Sequence, residues 1–457
     1  MAGGGAVIAI IGAGFTGAMT ALHLLRNGPD RARIFLVEKT PGFGGGLAYG
    51  LHNPSHLLNV RAGNMSAFPD EPDHLIRWLA DRQRLGPAET DAFITRGVYG
   101  DYLSALIRQA IAGADGAERL LLVPDQAVGL DFDGDGGVLR LGMGRSLKID
   151  AAVLALGNLP PLSPRHVGLE LLARGQYAPD PWASDALDDL PPRDAVLILG
   201  SGLTMVDIAL DLAERGHRGP LIALSRRGLT PHRHHPVGSV GPPPWDLAGR
   251  PLSEWVRERR SRAQGVGWRA AIDELRPMVQ GLWRGATPTE RRRFLRHLRP
   301  WWDVRRHRMA PAVADAFDVL RASGQLQVLA GRLMSVKPED EGVDIVWRPR
   351  GEPQSRALSV SRIINCTGAG GDLSRTADPL LTGLIKQGAI RADPLGLGLE
   401  VDDACQALDH AGRPSRPLYA AGPIAQGYSW EVTAVPDIRN QVAALAATLT
   451  ARLATQG

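Results

Sequence analysis

Apolar residues in this chain come in short runs that stop on glycine. Val7 to Ile11 is an uninterrupted apolar run, the pattern of a strand buried on both faces. Gly12-Ala-Gly14-Phe15-Thr16-Gly17 follows, after which Phe15, Met19, Leu22 and Leu25 recur at helical spacing. A second run, Ile34 to Val37, ends on Glu38-Lys39. The pattern predicts strand, tight turn, helix and parallel strand. It begins again with Val196 to Leu199, the turn Gly200-Ser-Gly202-Leu203-Thr204-Met205, a helix over Asp207 to Arg215 and a strand over Pro220 to Leu224.

The intervening segments repeat as well. A glycine-rich link (Pro41 to Gly50) and a polar loop (His52 to Ser66) lead into two amphipathic helices, Asp73 to Arg82 and Tyr102 to Ala112. Leu120 to Val123, Ala127 to Phe132 and Val138 to Leu141 read as a meander, and Ala152 to Leu156 as a buried strand ending at Gly157. In the second half, Gln325 to Leu329, Val343 to Trp347 and Ile363 to Asn365 echo that order and end at Cys366-Thr-Gly368. Pro160 to Arg193 reads as a linker, and Asp437 to Leu449 as a C-terminal helix. The expected fold class is α/β, with two Rossmann-like (three-layer ββα) dinucleotide-binding domains. One is discontinuous, 1–186 with 367–457; the other is 187–366, with a helical insert at about 252–323.

The turns carry the candidate chemistry. Gly12 makes the bend, Gly14 lets the backbone approach a pyrophosphate, and Gly17 lets helix and strand pack closely. The helix opening at Phe15 and Thr16 turns its N–H groups toward the phosphates. Glu38 stands about 20 residues past the last glycine, where a carboxylate accepts hydrogen bonds from a ribose diol. This unit suits FAD. In the second copy Gly200 and Gly202 keep the bend ahead of Leu203 and Thr204, but Met205 replaces the third glycine. Ser225 stands in place of the acid and is followed by Arg226 and Arg227. Guanidiniums without a carboxylate fit a ribose 2′-phosphate, so NADPH is expected over NADH. The competing reading leaves both arginines in solvent.

Further candidates lie in loops. The stretch containing Asn59, Arg61, Asn64, Met65 and Ser66 is long for a connector and is expected against the isoalloxazine ring. The alternative is a brace for the helix that follows. Gly157 and Gly368 are expected to border the two nucleotides. Gly422-Pro423, Trp430-Glu431 and Thr433 precede the last helix, whose N-terminal dipole favours the charge that develops on a reduced flavin; Trp430 as plain core is the other option.

Composition narrows the classes. The 457 residues are 44 % hydrophobic, enough for two or three domains with real cores. Net charge is only +4, and all but four of the 52 basic residues are arginine, so nucleic acid is not expected. Cys366 and Cys405 are the only cysteines, which excludes a disulfide framework and a CxxC pair. Adjacent histidines (His232, His234, His235) in a proline-rich loop do not converge on one metal, and they suit a substrate or nicotinamide mouth better. Asp131 to Asp135 opens like a calcium loop, but the twelfth position is Gly142 and no helices flank it, so a hairpin is expected. The N-terminal apolar run lacks a basic flank and already serves as the first strand; a cytoplasmic protein without a membrane span is expected. In the insert, Thr287-Pro-Thr-Glu290 reads as a capped helix start. Arg291, Arg292, Arg293, Arg296 and Arg299 then precede Trp301-Trp302. They form either a solvated face or a cationic lid over coenzyme phosphates or an anionic substrate.

Taken in order, several motifs resemble bacterial FAD/NAD(P)-binding proteins of the YdhS-like group. These are the first glycine turn, His56-Leu-Leu-Asn59-Val-Arg61-Ala-Gly-Asn64-Met65-Ser66-Ala-Phe68-Pro69, Gly202-Leu-Thr-Met-Val-Asp207, Ser225-Arg226-Arg227-Gly228 and Trp430-Glu431-x-x-Ala434-Val-Pro436. The layout is more distantly similar to flavin-containing monooxygenases and to ornithine and lysine N-hydroxylases. The resemblance implies resident FAD, reduced by NADPH, and a C4a-hydroperoxyflavin that passes one oxygen atom from O2 to a small polar, amino-bearing substrate. The chain lacks the FxGxxxH segment of those relatives. An NAD(P)H-dependent flavin oxidoreductase passing electrons to a protein or quinone therefore stays open, as do an FAD-loaded sensor and a homodimer.

Overall fold

The computed structural model describes residues 5–50, 53–86, 89–113, 115–133, 136–236 and 250–454. The chain divides into two compact units, Met1–Leu159 with Gly370–Gly457, and Pro160–Ala369. The first holds a six-stranded sheet in the order Gln406–Leu408, Pro414–Ala420, Ala151–Leu154, Val7–Ile11, Arg33–Glu38 and Leu120–Pro124. Every neighbouring pair is parallel except the first. Parallel strands covered on both faces must be apolar throughout, and Ala151–Leu154 is buried at every position. One face packs on the helices Phe15–Asn27, Arg96–Ala112 and Val435–Ala454 through Met19, Leu24, Leu103, Val442 and Leu445. Beside the other lies an antiparallel sheet of Ala127–Asp133, Gly136–Leu141 and Ser146–Ile149, packed through Leu130, Leu139 and Ile149.

Local expectations shift here. Leu120–Pro124 is the outermost parallel strand, Leu122 facing Leu36, and is not part of the meander. The third meander strand is Ser146–Ile149, whose polar positions concealed it. The helix expected from Tyr102 begins at Arg96, where the Thr95 hydroxyl accepts the Val98 N–H at 3.2 Å. Gly97 and Gly100 masked that turn; a Cβ at Gly100 would lie 2.2 Å from the Tyr49 carbonyl oxygen. The run from Asp131 is a hairpin pairing Asp133 with Gly136, while Gly134 and Asp135, like His52, lie outside the described residues.

The second unit holds a seven-stranded sheet. Its order is Arg356–Val360, Gly342–Pro349, Leu326–Glu339, Leu221–Ser225, Val196–Leu199, Arg362–Asn365 and Tyr177–Ala178. The long strand Leu326–Glu339 runs parallel to Leu221–Ser225 up to Ala330 and then pairs antiparallel with Gly342–Pro349. Residues 160–186, expected with the first domain, belong here, because Tyr177–Ala178 extends this sheet beside Ile363 and Ile364. The insert is helical from Leu252 to Ala322, with a π-turn over Phe294–Leu298. Thr287 and Glu290 form the expected capping box. Within the insert, the fully buried Glu274 carboxylate is gripped by Arg259 at 3.1 Å and Arg262 at 2.7 Å. Among the described residues, no helix is long and apolar enough to cross a membrane, and no group of histidine, cysteine or acid residues is placed to hold a metal.

Candidate functional site

In the first turn the three glycines answer to different demands. Gly12 has φ +100°, and a Cβ there would sit 2.4 Å from the carbonyl oxygen of Ala155, the residue after the strand Ala151–Leu154. A Cβ at Gly17 would lie 1.8 Å from the Gly12 carbonyl oxygen, so helix and strand touch only because it is absent. Gly14 differs: its φ is −69°, and the nearest atom to an added Cβ is Gly46 Cα at 3.6 Å. Among the described residues, no close contact requires glycine at 14. Gly14 is also the N-cap of the first helix, and no side chain caps it, so that end keeps unpaired donors and a positive dipole. The Glu38 carboxylate closes the turn, one oxygen accepting from Ala13 N–H at 2.8 Å and the other from Thr40 N–H at 3.0 Å. Lys39 is exposed.

The segment Pro41 to Gly50, expected as a glycine-rich link, folds over the turn, with Gly44 N–H donating to Ala13 O at 2.8 Å. A Cβ at Gly46, where φ is +52°, would come within 2.8 Å of Gly14 Cα. Three consecutive glycines were the available signal. Tyr99 was also missed; it lies between Phe15 and Tyr49, fully buried, with its hydroxyl unpartnered among the described residues. Arg439 Nε is likewise a buried unpartnered donor, while its Nη1 holds Ser66 O at 3.0 Å. Unsatisfied buried donors around an uncapped helix start fit a polar, phosphate-bearing group.

The other first-unit candidates scatter. In the loop from Asn59, Met65 and Ser66 are interior, Asn64 is exposed, and Arg61 pairs with the exposed Asp91 at 3.3 Å. Ser66 Oγ donates to Glu71 O at 2.5 Å, and the loop backbone bonds to Thr90, Ala92 and Ile94, so much of it braces its neighbours. Gly157 has φ +66° and open space around it. Gly422 does not lead straight into the last helix; a short 3-10 turn starting there with Pro423 intervenes, and the helix runs from Val435. Its N–H donates to Gln441 Oε1 at 2.8 Å, and a Cβ would lie 2.4 Å from Thr16 Oγ1. Trp430 and Glu431 are buried, and Thr433 is half-buried.

The second turn repeats the logic. Gly200 has φ +114°, with an added Cβ 2.2 Å from Cys366 O, whereas nothing lies within 4 Å of one at Gly202. Gly202 is the N-cap of the helix opening at Leu203 and Thr204, again without a side-chain cap, and Met205 is fully buried. Gly368 has φ +92° and open surroundings. Ser225 replaces Glu38 in position and in connection: its hydroxyl lies 2.8 Å from Ser201 Oγ in the turn and accepts Gly228 N–H at 3.0 Å.

Beyond Ser225 lies a cavity of about 310 Å³ lined by Arg226, Arg227, Arg296, His297, Pro300 and Arg350. No carboxylate lines it. Arg226, Arg296 and Arg350 have no side-chain partner among the described residues, but Arg227 is engaged, donating to the carbonyls of Arg296 and His297 at 3.1 and 3.2 Å. Most other insert arginines are tied within the insert: Arg291 to Trp283 O, Arg299 to Asp303, Arg308 to Asp273. His232 packs on Trp268 at 4.7 Å, and burial, reinforced by Arg305, Arg269 and Arg308, holds its pKa below the usual histidine value.

A glycine turn that ends the leading strand of a parallel sheet and opens an uncapped helix is a dinucleotide-binding arrangement. Residues 9–159 match the family model described as FAD-NAD(P)-binding. The chain is 28 % identical over 257 residues to nitrosuccinic acid synthase of Aspergillus oryzae, which covers 50 % of this chain and 38 % of that one. It is 34 % identical over 170 residues to L-aspartate N-monooxygenase (nitrosuccinate-forming) of Streptomyces cremeus, covering 35 % and 24 %. The chain thus spans less than half the length of the curated relatives it matches. In fold it is similar to ornithine N-hydroxylase of Kutzneria sp. 744, with TM-score 0.66 at 15 % identity over 98 % of this chain and 100 % of that one. L-lysine 6-monooxygenase of Pseudomonas syringae also gives 0.66, at 17 % identity over 99 % of each.

Proposed function

We propose that this protein is an FAD-dependent, NADPH-consuming monooxygenase that oxygenates the amino nitrogen of a small polar substrate. The carrying observation is the contrast between its two glycine turns. Both keep an open second glycine and an uncapped helix, yet one is closed by the Glu38 carboxylate and the other by Ser225 beside a carboxylate-free arginine cavity. The first suits the unphosphorylated ribose of FAD and the second the 2′-phosphate of NADPH. FAD in the first of two Rossmann-like units would rest on Gly12 to Gly17, Glu38 and the Gly44–Gly46 strap, with Gly157, Gly422 and the Asn59–Ser66 loop further along. When bound, the flavin supplies the redox and oxygen chemistry and NADPH the hydride. The protein's residues orient both and exclude water.

The choice of amino nitrogen is supported by the curated relative named L-aspartate N-monooxygenase, with which the fold neighbour named ornithine N-hydroxylase agrees. The motif order favours a place beside the YdhS-like group, and the proposed setting is the cytoplasm. A dithiol reductase reading loses support because both cysteines are buried, burial pushing the Cys405 thiol up to about 11 and Cys366 higher still. The test is NADPH oxidation with oxygen consumption and peroxide release, measured alone and with aspartate, ornithine, lysine and other amino acids. Substrate-dependent coupling with an N-oxygenated product supports the proposal. Turnover that requires a quinone or protein acceptor and consumes no oxygen overturns it.

A further inference from the structure

We propose that the helical insert reads the coenzyme's 2′-phosphate, with Arg296 and Arg350 joining Arg226 as its ligands and Arg227 acting as the latch that positions them. The inference rests on the NADPH reading and assigns residues that the glycine-turn pattern cannot reach.

Pro300 interrupts the hydrogen-bond ladder of the insert's helix. In an α-helix the carbonyl of Arg296 would accept the N–H of residue 300, but proline has none, and its ring crowds that carbonyl. The helix answers with the π-turn Phe294–Leu298, a widening often found at functional sites. Arg227 donates to this carbonyl from outside the helix, its guanidinium fork reaching Arg296 O at 3.1 Å and His297 O at 3.2 Å. Arg227 therefore ties the loop after the second strand of this unit to the insert.

The result is a cup with one sign of charge. Ser225 faces Ala330 across the sheet, and Ala330 O accepts the Arg350 N–H at 2.9 Å, so Ser225, Ala330 and Arg350 form a row along the strand ends. Arg226 follows Ser225 on one side, and Arg296 enters from the insert. All three arginines line the cavity of about 310 Å³, without a carboxylate among the lining residues. Like charges gathered in a shared cavity repel one another, and a dianion relieves that repulsion; a phosphomonoester supplies up to two charges and three acceptor oxygens. An unphosphorylated ribose supplies hydroxyls but no charge.

Binding of NADP+, NAD+, 2′-AMP and 5′-AMP to the FAD-loaded protein is measured by calorimetry, with NADPH kinetics alongside. Arg296→Gln and Arg350→Gln should each weaken NADP+ and 2′-AMP about tenfold or more and leave NAD+ and 5′-AMP unchanged, since each removes a charged hydrogen bond to phosphate. Arg292→Gln and Arg293→Gln, exposed on the preceding turn and outside the cavity, should change nothing. Arg227→Gln should raise the KM for NADPH with kcat kept. Pro300→Ala, which restores the missing N–H, should recover much of that loss in the double variant. If Arg226→Gln weakens NADP+ selectively while Arg296→Gln and Arg350→Gln do not, the insert's role is overturned and the NADPH reading stands. Equal wild-type affinity for NADP+ and NAD+ overturns both. Additive effects of Arg227→Gln and Pro300→Ala, with no rescue, overturn the latch.

Discussion

Changing Gly14 to alanine separates what the fold needs from what the ligand needs. With φ −69° and ψ −170°, Gly14 already occupies a conformation open to any residue, and an added Cβ meets nothing closer than 3.6 Å. In FAD-free protein the substitution should therefore be neutral or stabilising by about 0.4–1 kcal/mol, through the reduced freedom of the unfolded chain. For a unit of this size that is a melting temperature unchanged or raised by roughly 1–4 °C. Binding should move the other way. In the proposed FAD complex the added methyl stands where the pyrophosphate would approach, and losing one close charged hydrogen bond costs about 1.5–3 kcal/mol, or about 10- to 150-fold in FAD affinity. Gly17→Ala is the contrast, since its Cβ would sit 1.8 Å from the Gly12 carbonyl oxygen and must push helix from strand with or without ligand. Overpacking of that kind costs about 1–3 kcal/mol or more. Flavin fluorescence titration of stripped protein, with thermal unfolding of the same samples, reads both quantities. A Gly14→Ala protein that holds FAD at wild-type affinity would refute the placement of the pyrophosphate. A Gly14→Ala protein that melts lower without FAD would refute the claim that the fold leaves room there.

Other outcomes follow from the same geometry. Glu38→Ala leaves the Ala13 N–H without its acceptor, so FAD should bind more weakly and the stripped protein should melt lower; Glu38→Gln, which keeps an acceptor, should lose less stability. Removing Glu274 with alanine leaves Arg259 and Arg262 beside an empty site and should destabilise the insert by about 3–5 kcal/mol, seen in denaturant unfolding. The hydrogen bond from Arg262 holds the Glu274 carboxyl below its usual range against the effect of burial. That contribution is complete above the unfolded glutamate value of about 4.3 and disappears as pH falls through the lower folded value. The stability gap between wild type and Glu274→Gln should therefore shrink below about pH 4, and a constant gap would count against the assignment. Asn64→Ala, at an exposed loop position, should leave melting unchanged while altering reoxidation of the reduced flavin and raising peroxide release, measured by stopped flow; unchanged oxidation would remove the loop from the flavin site.

The two glycine turns were readable from the chain because their geometry is local. A bend with positive φ, a close helix–strand contact and the residue ending the second strand all lie within one βαβ unit, where spacing alone sets proximity. The return of strand, glycine turn and helix in the second half was readable for the same reason, since apolar runs closing on glycine repeat wherever a buried parallel strand returns to a turn. The edge strand Leu120–Pro124 was assigned to the wrong sheet because its apolar pattern does not say which strand it pairs with. The arginine cavity was out of reach for a stronger reason. Arg226, Arg296 and Arg350 come from a loop, an insert and a hairpin far apart in the chain, and sheet register brings Arg350 level with Ser225. Sequence placed Arg227 beside Arg226 as an equal ligand. Only the tertiary structure set them apart, because Arg227 donates to the Arg296 carbonyl, whose α-helical donor position is taken by a proline in the distant insert.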